Sequence, residues 1–224
     1  METYRNEWKH EISYSDMITI RHRMRAVAKA DEHAGPDGSY NVRSLYFDTP
    51  ADKALREKID GVNTREKFRI RYYNGDQAFI QLEKKSKVNG LGNKKYANIT
   101  AREAQSIADG NWGWMPQSGR PLVVELYSKM QSEGLRPKTI VDYTREPFVY
   151  APGNVRVTLD YNIRTGLNGI DFLNPRCITI PAGGGIIMEV KWDAFLPAVI
   201  RKAVGLNDRR SSAFSKYRIC RIYG

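Results

Sequence analysis

Residues Arg65-Glu66-Lys67-Phe68-Arg69-Ile70-Arg71-Tyr72-Tyr73 alternate between cations and mostly apolar side chains. Successive side chains of a β-strand point to opposite faces, so Arg65, Lys67, Arg69 and Arg71 share one face and Phe68, Ile70 and Tyr72 the other. Like charges about 6.6 Å apart along a strand repel unless water or an anion screens them. One such strand reads as a solvated face, but the pattern recurs. Gln81, Glu83, Lys85 and Lys87 share a side, as do Arg156, Thr158 and Asp160 opposite Val155, Val157 and Leu159. Glu189 and Lys191 oppose Met188, Val190 and Trp192, and Tyr143 and Arg145 fit the same parity. The strands thus have one apolar face and one face of cations with a few carboxylates.

Helical spacing interrupts this pattern in several places. Met17, Ile20, Met24 and Val27 mark a helix capped by Ser13 or Ser15, whose other face carries Arg21, Arg23 and Arg25 and reads as solvated. Thr49 as N-cap and Pro50 as first residue predict a helix that stops at Gly61. Asn74-Gly75-Asp76 joins two hairpin strands, and Asn89-Gly90-Leu91-Gly92 turns into a strand through Lys94 and Tyr96. Thr100-Ala101-Arg102-Glu103 is a capping box for a helix ending near Gly110, and Pro121 opens a helix with Leu122, Val123, Leu126 and Met130. Strands resume near residues 138–145 and 154–161. A helix over residues 197–204 is closed by Gly205. Pro181-Ala182-Gly183-Gly184-Gly185 precedes no helix and lacks the spacing of a nucleotide-binding glycine loop, so it is assigned no phosphate role. With no repeat or linker, residues 1–224 read as one α+β domain. Its architecture is a closed antiparallel β-barrel, apolar face outward beneath packed helices and a polar, basic lumen within.

Composition narrows the partner. The 224 residues carry a formal net charge of +11, with 41% hydrophobic and 11% aromatic residues. The chain can bury a core, which excludes a disordered tail. The charge favours an acidic partner: nucleic acid, a membrane surface or a phosphorylated ligand. Cys177 and Cys220 are far apart and read as reduced thiols, and His10, His22 and His33 form no metal-binding cluster. No apolar stretch is long enough to span a membrane, and the N-terminus lacks a signal-peptide core, so a cytoplasmic location is expected. Tyr72, Tyr73 and Tyr96 do not lay out a base-stacking platform, so nucleic acid is not the expected partner.

Taken in order, the motifs resemble the polyphosphate-polymerase domain of the vacuolar transporter chaperone family, one of the triphosphate tunnel metalloenzymes. The matching pieces are Glu7-x-Lys9-x-Glu11, Ser44-Leu45-Tyr46-Phe47-Asp48-Thr49, Arg65-x-Lys67-x-Arg69-x-Arg71-x-Tyr73 and Leu82-Glu83-Lys84-Lys85. They continue with Lys94-Lys95, Tyr143-x-Arg145-x-Pro147-Phe148, Val155 to Asp160, Glu189-Val190-Lys191 and Phe214-Ser215-Lys216-Tyr217. The resemblance implies a tunnel binding ATP and polyphosphate, and metal-dependent transfer of the terminal phosphate of ATP to the growing chain. It implies that Glu189, helped by Glu83, holds a divalent metal, Mn2+ or Mg2+. Arg43, Arg65, Lys67, Arg69, Arg71, Lys85, Lys94, Tyr143, Arg145 and Arg156 would bind substrate. Lys9, Lys191 and Lys216 would stand near the reacting phosphates. Relatives that hydrolyse triphosphate carry Glu-x-Glu-x-Lys near the N-terminus. The lysine at position 9 favours the polymerase branch over triphosphate hydrolysis or a noncatalytic polyanion-binding module.

Overall fold

The computed structural model describes residues 5–88, 91–183, 185–205 and 214–222. The expected turn at Asn89-Gly90, the residue Gly184 and the stretch Ser211-Ser212-Ala213 lie outside them. In chain order the elements are β1 (Asn6–Ile12), α1 (Tyr14–Val27), β2 (Lys29–Ala30), β3 (Tyr40–Asp48), α2 (Lys53–Ile59), β4 (Arg65–Tyr73), β5 (Asp76–Val88) and β6 (Leu91–Ile99). They continue with α3 (Ala101–Ala108), α4 (Pro121–Ser132), β7 (Arg136–Tyr150), β8 (Val155–Thr165), β9 (Ile180–Pro181), β10 (Ile186–Trp192), α5 (Ala198–Val204) and α6 (Lys216–Ile222).

The strands follow the order β1-β10-β8-β7-β3-β4-β5-β6, with β2 beside β7 and β9 beside β8. Every pair whose register is described is antiparallel. Closure of this sheet was expected and is not found. The strand path ends at β1 and β6, and no hydrogen-bonded pairing joins these two among the described residues. Both end strands are rich in charge, with Glu7, Lys9 and Glu11 on one and Lys94 and Lys95 on the other. Charged edges of this kind discourage further strand pairing.

Contacts divide the chain into two compact units. The first comprises Met1–Asn41, Tyr143–Ile163 and Gly183–Ser215. Ser13 caps α1 in a reciprocal capping box with Asp16, and this choice over Ser15 follows from Asp16 standing three residues on. Met17, Ile20 and Met24 of α1 and Ile200, Ala203 and Val204 of α5 cluster with Val155, Val157, Leu159, Met188 and Val190. The apolar faces of β8 and β10 are therefore covered by helices. Arg21, expected to be solvated, instead forks onto the buried Glu146 at 2.7 and 2.7 Å.

The second unit comprises Val42–Asp142, Arg164–Ala182 and Lys216–Gly224. Leu45, Phe47, Phe68, Ile70, Tyr72, Ile80 and Leu82 pack with Ile107 of α3 and Leu122, Val123, Leu126 and Met130 of α4. Burying each such side chain stabilises by roughly 1.5–3 kcal/mol. The expected start of α2 is displaced. Its N-cap position is Asp52 in a left-handed conformation with no side-chain cap, and Asp48 does the capping from the end of β3. The Asp48 carboxylate accepts from the Ala54 and Leu55 amides at 2.8 and 3.2 Å, while Thr49 Oγ1 accepts from Lys53 N at 3.1 Å. Asp48 also accepts from Tyr217 Oη at 2.5 Å, tying β3 to α6.

Candidate functional site

In the second unit the antiparallel register assembles the polar strand faces into one charged surface. Ser44 faces Arg71, which faces Gln81; Tyr46 faces Arg69, which faces Glu83; Lys67 faces Lys85, which faces Lys94; Arg65 faces Lys87. Seven cations thus share a face with two carboxylates, Glu83 and Asp48, among the described residues of these four strands. Two unit charges 4 Å apart interact by about 4 kcal/mol at an effective dielectric of 20, so such a face favours an incoming anion strongly. The register also places Lys94 on this face and turns Lys95 to the other with Lys84.

Glu83 organises the centre. Its side chain is 2% exposed, and it takes Arg69 Nε at 2.6 Å, Arg69 Nη2 at 2.5 Å and Lys94 Nζ at 2.5 Å, with Arg71 Nη1 at 3.8 Å. Burial would raise its pKa, but Arg69, Arg71 and Lys94 outweigh that and hold the carboxyl well below the ordinary glutamate range. Oε2 takes the Arg69 contacts, while buried Oε1 has Lys94 Nζ beside it and no hydrogen-bond partner among the described residues. Among the described residues Glu83 faces Arg69, Arg71 and Lys94 as their counter-charge. Arg71 donates from Nε to Ser44 Oγ at 2.9 Å, and its guanidinium lies 5.9 Å from the Tyr73 ring. Arg69 donates from Nη1 to Tyr46 Oη at 2.7 Å. Arg65 donates to the Val62 carbonyl at 2.5 Å. Lys216 begins α6, beside Tyr217, whose ring stacks on Tyr46 at 5.1 Å.

Arg43 does not join this face. Its register partner is Tyr72, so it points to the apolar side of β3. There it forks onto Asp142 at 2.9 and 2.8 Å and donates to the Asn174 carbonyl at 2.9 Å. Strand parity separates Arg43 from Ser44 and Tyr46 of the same strand.

In the first unit the register lines up Glu7 with Lys191 and Arg156, and Lys9 with Glu189 and Thr158. Lys191 Nζ lies 2.6 Å from Glu189 Oε1, Lys9 Nζ 3.9 Å from Glu189 Oε2, and Glu7 is 3.1 Å from Lys9 and 3.5 Å from Lys191. Burial opposes ionisation of Glu189, yet Lys191 and Lys9 prevail and depress its pKa well below the usual value. Lys9 responds oppositely: burial lowers its pKa, but Glu189 and Glu7 raise it above the ordinary lysine value. Arg145 forks onto fully buried Asp160 at 2.6 and 2.8 Å, with its guanidinium 5.3 Å from the Tyr143 ring. Arg156 pairs with Asp31 at 2.9 Å and donates to Tyr40 Oη at 3.0 Å.

A divalent cation fits this donor set in a limited way. No cluster of three or more His, Cys, Asp or Glu capable of holding a metal occurs among the described residues. Glu189 is one ionised, buried carboxylate, and the Thr158 hydroxyl on the adjoining strand is buried without a hydrogen-bond partner. An Mg2+-type ion needs only one or two carboxylates when phosphates supply further oxygens. The residues suit a cation that arrives with its ligand.

Sequence reasoning missed Tyr46, Ser44, Tyr40 and Asp31 as members of these groups. Parity held the signal for two of them: Ser44 and Tyr46 alternate with apolar Leu45 and Phe47, as the cations of β4 do with theirs. Tyr40 and Asp31 are joined to Arg156 only by folding.

No curated protein matches the chain. Among the solved structures that share the fold are the PH1012 protein of Pyrococcus horikoshii and a candidate adenylate cyclase of Bacillus halodurans. The first is 12% identical with a TM-score of 0.52, over 96% of this chain and 98% of that one. The second is 14% identical with a TM-score of 0.50, over 85% of this chain and 81% of that one. The sequence profile of the VTC domain matches residues 4–222, nearly the whole length. The chain belongs to the VTC domain family.

Proposed function

We propose that this chain, as a single VTC domain, is a metal-dependent polyphosphate polymerase. A terminal oxygen of the polyphosphate chain attacks the γ-phosphorus of ATP, the bond from that phosphorus to the bridging oxygen breaks, and ADP leaves. Phosphoryl transfer of this kind needs in-line positioning and neutralised oxygens more than a protein nucleophile. The observation that carries the reading is the cation face of the second unit, assembled by the strand register with Glu83 paired to Arg69 and Lys94. Arginine forks hold phosphoryl oxygens bidentately while lysines act as point charges, and both kinds are present. In the first unit, Glu189 would hold Mn2+ or Mg2+, which when bound neutralises phosphate oxygens. Lys9, Lys191, Arg145 and Arg156 supply the surrounding positive charge there, with Tyr143 beneath Arg145.

Triphosphate hydrolysis is the second reading. Against it stands Lys9, which pairs with Glu189 and Glu7 at the place where the hydrolytic relatives carry a carboxylate. Two free cysteines and no helix long and apolar enough to cross a membrane, among the described residues, accord with the proposed cytoplasmic setting. The test is Glu189→Gln, which keeps shape and removes charge. ATP turnover should fall to background with ATP binding weakened less than tenfold, because the cations remain. Retention of most metal-stimulated turnover would reduce Glu189 to an ion-pair partner of Lys191.

A further inference from the structure

Tyr46 is nearly fully buried, with 3% of its surface exposed, and sits at the centre of the second unit's cation face. Its ring is fixed from one side by Tyr217, stacked at 5.1 Å and 25°, whose own hydroxyl is committed to Asp48. Its hydroxyl oxygen accepts from Arg69 Nη1 at 2.7 Å. Among the described residues nothing accepts the hydroxyl's own proton. A buried hydroxyl with an unused donor is costly, and such groups ordinarily find a partner.

The surroundings specify that partner's charge. From β4, Lys67, Arg69 and Arg71 face the phenol, with Lys67 and Arg69 5.8 and 5.6 Å from its ring centre. Glu83 of β5 is paired with Arg69 and Lys94. Ser44 and Asp48 share the Tyr46 face of β3 and are engaged by Arg71 and Tyr217. Around α6, Asp52 is paired with Arg221 and Lys138. An acceptor set among these cations is anionic, and none of the described residues supplies it.

We propose that Tyr46 is a direct phosphate ligand, its hydroxyl donating to a phosphoryl oxygen that Arg69 and Arg71 hold. This rests on the reading of the cation face as a phosphate site and adds to it a neutral donor that can itself ionise. Burial would raise the pKa of the phenol, but Arg69, Lys67 and Arg71 outweigh it and draw it down to about 7. The free face thus loses the donor proton as pH rises past neutrality, and the phenolate then occupies the cations as an internal anion. Bound phosphate must return that proton, so binding couples to proton uptake above pH 7 and not below it.

The experiment measures binding of inorganic tripolyphosphate, without metal or nucleotide, to the full chain and to Tyr46→Phe across pH 6 to 9, alongside the ultraviolet phenolate signal. One tyrosine should ionise near pH 7 in the free protein, absent from Tyr46→Phe, and tripolyphosphate should move that ionisation upward. Below pH 7 the wild type should bind about tenfold more tightly than Tyr46→Phe, the worth of a hydrogen bond to a charged group. Above pH 7 that advantage should shrink about tenfold per pH unit. Comparing the two proteins removes the ligand's own titration. A constant ratio across pH, or a phenol ionisation that tripolyphosphate leaves unmoved, would show that Tyr46 only buttresses Arg69 and would overturn the proposal while leaving the phosphate site intact. Absence of tripolyphosphate binding to the wild type would instead overturn the phosphate reading itself, and this inference with it.

Discussion

Glu83→Gln separates the internal counter-charge from a metal ligand, because the two roles predict opposite effects on anion binding. The glutamine keeps shape and leaves Arg69, Arg71 and Lys94 without their shared carboxylate. Breaking a buried ion pair on one side typically costs 3–5 kcal/mol. Here Arg69 and Lys94 are 20% and 49% exposed and recover part of their hydration, so about 2–3 kcal/mol is expected. For a chain of this size each kcal/mol lowers Tm by roughly 2–4 °C, giving a fall of roughly 5–10 °C in calorimetry. The Glu83 carboxyl is depressed in the fold, so its stabilisation is complete above the ordinary value of 4.5 and disappears as pH falls through the depressed one. The gap between wild type and Glu83→Gln should therefore close in acid. Tripolyphosphate affinity should rise about tenfold or more, since a competing negative charge within a few ångströms is gone. Saturating tripolyphosphate at 100 times Kd should return about 2.7 kcal/mol. A variant as stable as wild type, or one whose tripolyphosphate affinity falls and depends on added metal, would refute this reasoning.

Three further outcomes follow from the same geometry. Arg43→Ala removes the fork on Asp142 and should lower stability by about 2–3 kcal/mol, while tripolyphosphate affinity stays within twofold by calorimetric titration. Arg21→Ala should destabilise by about 1–3 kcal/mol in urea unfolding because Glu146 loses its fork. Arg25→Ala, exposed on the same helix, should fall within about 0.5 kcal/mol of wild type and serves as the control for charge loss alone. Arg69→Ala should weaken tripolyphosphate binding tenfold or more, with only partial rescue by lysine, whereas equal losses for Arg69→Ala and Arg25→Ala would mean that net charge, not geometry, is being read.

Much of the fold was legible where local rules act alone. The period-2 alternation of β4 predicts its bounds, and the Thr100 capping box and Pro121 place α3 and α4. Parity puts Lys67 and Lys85 on polar strand faces, but only the strand register brings them together with Lys94 rather than Lys95. What escaped depends on contacts distant in sequence. Asp48 caps α2 from six and seven residues away, so Thr49 alone could not mark the helix start. Arg21 looks solvated until folding brings Glu146 to it, and Arg43 looks like its neighbours until Asp142 arrives on its face. Closure of the sheet depends on the two end strands meeting, which alternation within each strand does not determine. Glu83 reads as a carboxylate on a cation-bearing face, but only folding shows that Arg69 and Lys94 are its partners.

Product analysis tests directly whether the chain makes polyphosphate. The purified chain is incubated with ATP and Mn2+ or Mg2+, and polyphosphate, ADP and free phosphate are resolved over time, with Glu189→Gln alongside. ADP should accumulate together with long-chain polyphosphate and little free phosphate, with neither product from the variant. Free phosphate with ADP and no polymer, or no turnover by a protein that binds nucleic acid tightly, would contradict polyphosphate synthesis.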